Sequence, residues 1–406
     1  MKKVVFVVID GLGDRPLAEF NHQTPLEAAE TPNLDKLAAG GISGAMDTVD
    51  VGVRPGSDTA HLALFGYDPA VYYTGRGPFE VAGLGMEVLP GDICFRANMG
   101  TVGKDLVVKD RRAGRIDDTG ELVDLLNNSE IDGISFLLKK GVGHRVGLIM
   151  RGRGLSANIT DCDPHAEGVK VHQAEAKDGT PEAVFTAKTL NKFLEMAHCK
   201  LSGLATNKER EKRGELAANY VLVRGAGTLP QITPFFDKYH LKAVCIAGGG
   251  LYKGIAKLIG MDAPEIKGAT GKFDSDLDKK ITAVLKLYSR YDFFFVHIKA
   301  ADSYGEDGNC QGKKEFIEKI DRSLAPLFHL KDTLVVVTAD HSTPCRLKAH
   351  SADDVPVVIY GQEIRDDDVE HFNERECAKG RLGHIKGTNL MPIIIDMMGM
   401  AELFGA

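Results

Sequence analysis

The sequence predicts an α/β fold, a mainly parallel sheet flanked by helices, with a second, α+β domain inserted into it. Three observations point there. Short β-branched apolar runs alternate with helical patterns toward both ends of the chain. A middle stretch, roughly 76–240, breaks that alternation and is richer in glycine, arginine and short strands. Acidic residues that stand just past strand runs lie both near the start and near the end, so one site needs an interrupted domain. The expected division is 1–75 with 241–406 for the discontinuous domain and 76–240 for the insert.

The first element is the strand Val4–Ile9, six apolar residues ending at Asp10. Thr31-Pro32 then opens a helix, with proline at its first position and Leu34, Leu37 and Ala38 on one face. Within the middle stretch, Gly91–Val102 and Gly147–Met150 read as strands and Pro181–Met196 as a helix. The charged Thr206–Glu215 segment reads as a solvated helix or loop. Val221–Val223, Ala243–Ala247, Phe293–Ile298, Leu334–Thr338 and Val355–Tyr360 join Val4–Ile9 as expected buried parallel strands. Helical patterns at Leu251–Ile259, Asp276–Tyr288, Lys313–Leu327 and Leu390–Met398 alternate with them.

Composition narrows the function classes. A net charge of −7 disfavours binding nucleic acid by general charge attraction. The Met1-Lys2-Lys3 start with six apolar residues behind it is too short for a signal peptide, and no run is long enough to span a bilayer. The seven cysteines are odd in number and form no CxxC pair, which speaks against a disulfide framework and a structural zinc site. A reduced, cytoplasmic protein without nucleic-acid or membrane partners is expected. Glycine is abundant, 45 of 406 residues, and this points to tight turns and close backbone approach to a ligand.

Three aspartates follow three strands: Asp10 after Val4–Ile9, Asp302 after Phe293–Ile298 and Asp340 after Leu334–Thr338. Open α/β sheets bind ligands beyond the carboxyl ends of their strands. Three carboxylates gathered there repel one another unless cations sit between them. His341 beside Asp340, and His350 before the next strand, add imidazoles of the kind zinc and manganese accept. His329, His371 and His384 read as ordinary surface or structural histidines. Ser57, in Pro55-Gly56-Ser57-Asp58, stands where a helix begins. It reads equally as a helix cap or as a nucleophile activated at a phosphate-binding helix terminus near a metal.

Asp10-Gly11, Gly56-Ser57, Asp302-x-x-Gly305, Thr338-Ala339-Asp340-His341 and Ala349-His350 occur in one order. In that order the chain resembles the alkaline phosphatase superfamily and, within it, the archaeal branch of the cofactor-independent phosphoglycerate mutases. Thr74-Gly75-Arg76-Gly77-Pro78, Phe95-Arg96-Ala97-Asn98, Thr160-Asp161-Cys162-Asp163-Pro164-His165 and Gly268-Ala269-Thr270-Gly271 extend the resemblance over nearly the whole chain. It implies an isomerase that interconverts 3-phosphoglycerate and 2-phosphoglycerate through a phosphoserine on Ser57, without 2,3-bisphosphoglycerate. It further implies two divalent metal ions, one held by Asp10, Ser57, Asp340 and His341. The other would be held by Asp302, His350 and a residue four positions after Asp302.

Relatives usually carry histidine at that last position, whereas here it is Glu306. An oxygen donor there shifts the expected preference toward manganese, with magnesium, zinc and cobalt as alternatives. For the anionic substrate the expected ligands are Arg151, Arg153 and Arg224 in glycine-rich surroundings, and Lys253, which resembles a phosphate-directed lysine of relatives. His165 with Asp161 and Asp163 reads as an Asp/Pro turn ahead of a further metal cluster. The competing readings are a metal-dependent phosphomonoesterase or phosphopentomutase on the same core, a nucleotide-binding module built on Gly248–Gly254, and a non-catalytic relative. Nothing in the sequence fixes the oligomeric state.

Overall fold

A computed structural model describes residues 2–403 and Gly405. The chain divides into two compact units, one formed by residues up to Tyr73 together with those from Ile232 onward, the other by Thr74–Gln231. The segment 232–240 belongs to the first unit. There Thr233 accepts the Tyr67 hydroxyl at 2.9 Å, and the Tyr239 hydroxyl donates to the Phe65 carbonyl at 3.0 Å.

The first unit is built on a seven-stranded sheet. Its strands lie in the order Gly383–Lys386, Gly41–Asp47, Val355–Tyr360, Thr333–Thr338, Lys3–Ile9, Phe293–Ile298, Ala243–Ile246. The four central and adjoining runs are apolar and, Lys3 apart, buried throughout, as a sheet covered on both faces requires. Helices Pro32–Ala39, Gly250–Leu258, Leu277–Leu287, Cys310–Leu324 and Gly387–Met397 lie along this part of the chain. Caps mark their ends where the sequence supplies them. Pro32 stands at a first helical position, and Asp276 accepts the Lys279 amide.

Two expectations need correction. Val355–Tyr360 pairs antiparallel with both Thr333–Thr338 and Gly41–Asp47, so it runs against the other six strands. Val221–Val223 lies inside the strand Tyr220–Gly227 of the second unit and is antiparallel to Ile93–Val102. Burial on both faces gives either direction the same continuous apolar run, so composition does not report direction. Two strands escape the pattern altogether. Gly41–Asp47 is small-residue-rich and fully buried, and Gly383–Lys386 is a short edge strand.

The second unit is an antiparallel sheet ordered Val108–Asp110, Ile93–Val102, Arg145–Arg151, Ile134–Lys140, Ser129–Ile131, with Tyr220–Gly227 also paired to Ile93–Val102. The helix Pro181–Gly203 buries Leu190, Phe193, Leu194 and Ala197 in the same core, and Phe193 stacks on Phe136 at 4.1 Å. The charged segment expected as a solvated helix or loop is the helix Ala205–Lys212. No helix among the described residues is long and apolar enough to cross a membrane. All seven cysteines are free.

Candidate metal centre

Strand register brings the expected ligands together. Lys3–Ile9 pairs in parallel with both Phe293–Ile298 and Thr333–Thr338, with Ile9 opposite Ile298 and Val8 opposite Thr338. The three strands therefore end side by side, and Asp10, Asp302 and Asp340 follow them at the carboxyl edge. Gly11 turns the chain at φ +66°, and a Cβ there would lie 2.6 Å from the Asp302 Cα and Cβ. Its amide donates to Asp340 Oδ1 at 3.1 Å. Only glycine allows that approach.

The donors fall into two groups, Asp10, Asp340 and His341 in one and Asp302, His341 and His350 in the other. His341 Nε2 lies 3.6 Å from Asp10 Oδ1 and 3.3 Å from Asp340 Oδ2. His350 Nε2 lies 3.5 Å from Asp302 Oδ1, and the His341 and His350 rings stack at 3.6 Å. His350 is oriented by Nδ1, 2.9 Å from the Pro55 carbonyl, and Thr343 donates its hydroxyl to Asp302 Oδ1 at 2.7 Å. Such contacts aim ligand atoms.

Ser57 begins the helix Ser57–Leu64, and its Oγ lies 3.3 Å from His341 Nε2. Its side chain caps no backbone amide; the preceding residue, Gly56, is the N-cap. The capping alternative for Ser57 thus falls away, and its hydroxyl faces the donors. His61, one turn on, donates from Nδ1 to the Ser57 carbonyl at 2.6 Å.

Burial and charge pull the groups apart. Burial would raise Asp10, but Lys299 and the His297 hydrogen bond hold its carboxyl well below the usual range. Burial and the adjacent Asp10 charge push Asp340 well above it. Burial pulls the His341 imidazole well below its usual value, with His350 adding to the effect, and pushes His61 down to about 4. Asp340 Oδ2 is buried without a hydrogen-bond partner among the described residues. Two carboxylates and an imidazole, one carboxylate oxygen among them lacking a hydrogen-bond partner, fit a divalent cation.

The remaining expected residues are placed as follows. Glu306 lies on the same helix as Asp302, Ala300–Asp307, but is exposed and outside both donor groups. Partial burial and the Asp302 charge raise its carboxyl. Lys253 is buried on the helix Gly250–Leu258 and pairs with Glu265 at 2.8 Å. In the second unit, Arg151 gives its fork to Asp92 at 2.8 and 2.7 Å. Arg153 is exposed on a bend. Arg224 lies 3.7 Å from Asp163 and 3.1 Å from His165 Nδ1. The His165 amide donates to Asp163 at 3.0 Å, which makes 161–165 the expected turn.

Four contributors were not singled out from the sequence. Tyr252 donates its hydroxyl to Asp10 Oδ2, and His297 Nε2 lies 2.9 Å from the same oxygen. Their rings stack at 3.4 Å. Thr343 and Lys299 complete the set. Tyr252 is the neighbour of Lys253, and Lys299 occupies the strand-end position that marked Asp10.

Comparison with known proteins agrees with this geometry. The model of the Metalloenzyme superfamily matches residues 2–397. The 2,3-bisphosphoglycerate-independent phosphoglycerate mutase of Methanosphaera stadtmanae is 49% identical, with 100% of each chain covered. A Methanocaldococcus jannaschii protein of the same name, numbered 1, is 48% identical, covering 100% of this chain and 99% of its own. Among solved structures, a Pyrococcus horikoshii protein superposes with a TM-score of 0.88 at 36% identity, covering 100% of this chain and 99% of its own. The cofactor-independent phosphoglycerate mutase of Thermoplasma acidophilum does so at 0.73 and 40%, covering 98% of this chain and 100% of its own.

Proposed function

The chain belongs to the Metalloenzyme superfamily and, within it, to the 2,3-bisphosphoglycerate-independent phosphoglycerate mutases, and from that premise we propose which of its residues interconvert 3-phosphoglycerate and 2-phosphoglycerate. The observation that carries the assignment is the uncapped Ser57 hydroxyl, 3.3 Å from an imidazole shared by both donor groups. Ser57 Oγ attacks the substrate phosphorus and the ester bond to glycerate breaks. The bound glycerate turns, and its other hydroxyl takes the phosphoryl group back from phosphoserine. In the first transfer the proton lost by Ser57 ends on the departing glycerate oxygen; in the second the attacking glycerate hydroxyl loses its proton and Ser57 Oγ takes one up.

Asp10, Asp340 and His341 would hold one divalent ion with Ser57, and Asp302, His350 and Glu306 the other. Such ions neutralise charge on the transferring phosphoryl group and on the attacking and leaving oxygens. Manganese is the proposed ion, because carboxylate oxygens dominate the donor set. Magnesium, zinc and cobalt are the alternatives. Ser57 is only 5% exposed, a position where bulk water has little access to the attacking oxygen. Arg224, with Arg153 and Lys253, is proposed for the substrate's carboxylate and phosphate. Arg151 is the weakest of the expected set, since Asp92 already satisfies its fork. A reduced, cytoplasmic setting accords with seven free cysteines.

The test is an enolase-coupled assay on 3-phosphoglycerate without 2,3-bisphosphoglycerate, after chelation and after manganese is restored. Activity lost with the metal, regained with it and reduced about 10⁴-fold or more in Ser57→Ala is expected. Release of inorganic phosphate in place of 2-phosphoglycerate would overturn the mutase assignment.

A further inference from the structure

Lys299 stands one residue past the strand Phe293–Ile298 and caps the helix Ala300–Asp307. Ile9 faces Ile298 in the parallel ladder, and the Asp10 amide donates to the Ile298 carbonyl at 2.9 Å. Asp10 and Lys299 are therefore neighbours across two strand ends, while Asp302 lies one helical turn beyond Lys299. The ammonium uses both relations, with Nζ 3.0 Å from Asp10 Oδ1 and 2.5 Å from Asp302 Oδ2. Each proposed metal group contributes one of these carboxylates. Asp10 Oδ1 is also the oxygen that faces His341 Nε2. Lys299 thus pairs with the same Asp10 oxygen that faces His341, and with the second oxygen of the Asp302 carboxylate whose other oxygen faces His350.

Among the described residues, no other lysine or arginine is ion-paired with Asp10, Asp302 or Asp340. The side chain is 23% exposed while its two carboxylate partners are at most 1% exposed. Lys299 therefore reaches inward from the open rim. Its flexible four-carbon stem, unlike a planar guanidinium, can redirect a point charge by rotating a single bond.

We propose that Lys299 is a further catalytic residue: its ammonium competes with divalent cations for Asp10 and Asp302 and, once displaced toward the rim, binds the phosphoryl oxygens of the substrate. The proposal rests on the mutase reading for the identity of that substrate. A cation at this position lies beside both donor groups, where charge on a transferring phosphoryl group has to be balanced. No covalent bond to Lys299 forms or breaks.

The test uses the full chain as wild type, Lys299→Met and Lys299→Gln, each checked for native circular dichroism and a cooperative melt. Manganese is titrated calorimetrically into metal-stripped protein, and orthovanadate into manganese-loaded protein. Both variants are expected to bind manganese about tenfold tighter or better, because a competing charge has been removed. Both should bind vanadate about 100-fold more weakly, with kcat/KM reduced to a similar degree. Wild-type affinity for manganese in both variants would overturn the competition, and wild-type affinity for vanadate would overturn the phosphoryl contact. A wild type that binds both probes without turning over 3-phosphoglycerate would overturn the mutase reading, leaving the two titrations to decide Lys299 independently.

Discussion

Glu306 is the residue at which this chain departs from its resemblance. It sits on the same helix as Asp302, exposed and outside both donor groups, with partial burial and Asp302 raising its carboxyl. Its carboxyl feels the charges of Asp302 and His350, the two residues it would join as a ligand. Glu306→Ala should lower bound manganese from two ions to one per chain by elemental analysis, with kcat/KM reduced about 100-fold or more. Two ions and full activity in that variant would remove Glu306 from the ligand set. Asp10, Asp302 and Asp340 stood out by strand-end position and residue type, and His341 and His350 as imidazoles close to that edge, whereas Ser57 was set apart from an ordinary helix cap only by the resemblance. Tyr252 and His297 were not, because an aromatic in a glycine-rich helix start and a histidine inside an apolar strand carry no spacing signal. Their function is visible only through the shared contact with Asp10 Oδ2. Lys299 did satisfy the strand-end rule, and a reading that admitted cations beside carboxylates would have found it.

At the scale of elements, the helices and central strands followed their apolar periodicity, and most boundaries moved by only a few residues. What periodicity lacks is direction. Val355–Tyr360 is as apolar as its neighbours, yet its reversal depends on the loop between Asp340 and Asp354 that also delivers His341 and His350. The same region shows how elements are tied together. Glu374 heads the short helix Glu374–Cys377 and accepts the Thr24 hydroxyl at 2.8 Å and the Asp14 amide at 3.2 Å. Asp14 pairs in turn with the buried Lys313 at 2.9 Å.

Burial pushes the Glu374 carboxyl up from 4.5 to about 7. The fold thus favours its protonated form. That contribution is fully present below pH 4.5 and fades as pH rises through 7. Urea unfolding between pH 5 and 8 should show wild type losing stability relative to Glu374→Gln. The gap between them should change by on the order of 3 kcal/mol from the acidic to the alkaline end of that range. Parallel pH profiles for the two proteins would mean that Glu374 ionises freely in the fold.

For the whole molecule, the proposed division into a discontinuous domain and an insert has a direct physical test. The segment Thr74–Gln231 has its own hydrophobic core, in which Phe136 and Phe193 stack between the antiparallel sheet and the helix Pro181–Gly203. Its two ends are already joined, since the Thr74 hydroxyl donates to the Thr228 carbonyl at 2.6 Å. A domain of this size, with its termini adjacent, buries enough surface to fold alone. The converse holds for the site. Asp10, Ser57, Lys299, Asp302, Glu306, Asp340, His341 and His350 all belong to the other unit. Residues 74–231 expressed alone should give a cooperative melt and a dispersed amide spectrum. The complementary chain, with a short glycine-serine linker joining Tyr73 to Ile232, should still bind manganese but lose mutase turnover, because the proposed substrate arginines Arg153 and Arg224 have gone. A molten 74–231 fragment, or a linked chain that binds no manganese, would show that the two units depend on each other for folding and that the insertion is a division of sequence alone.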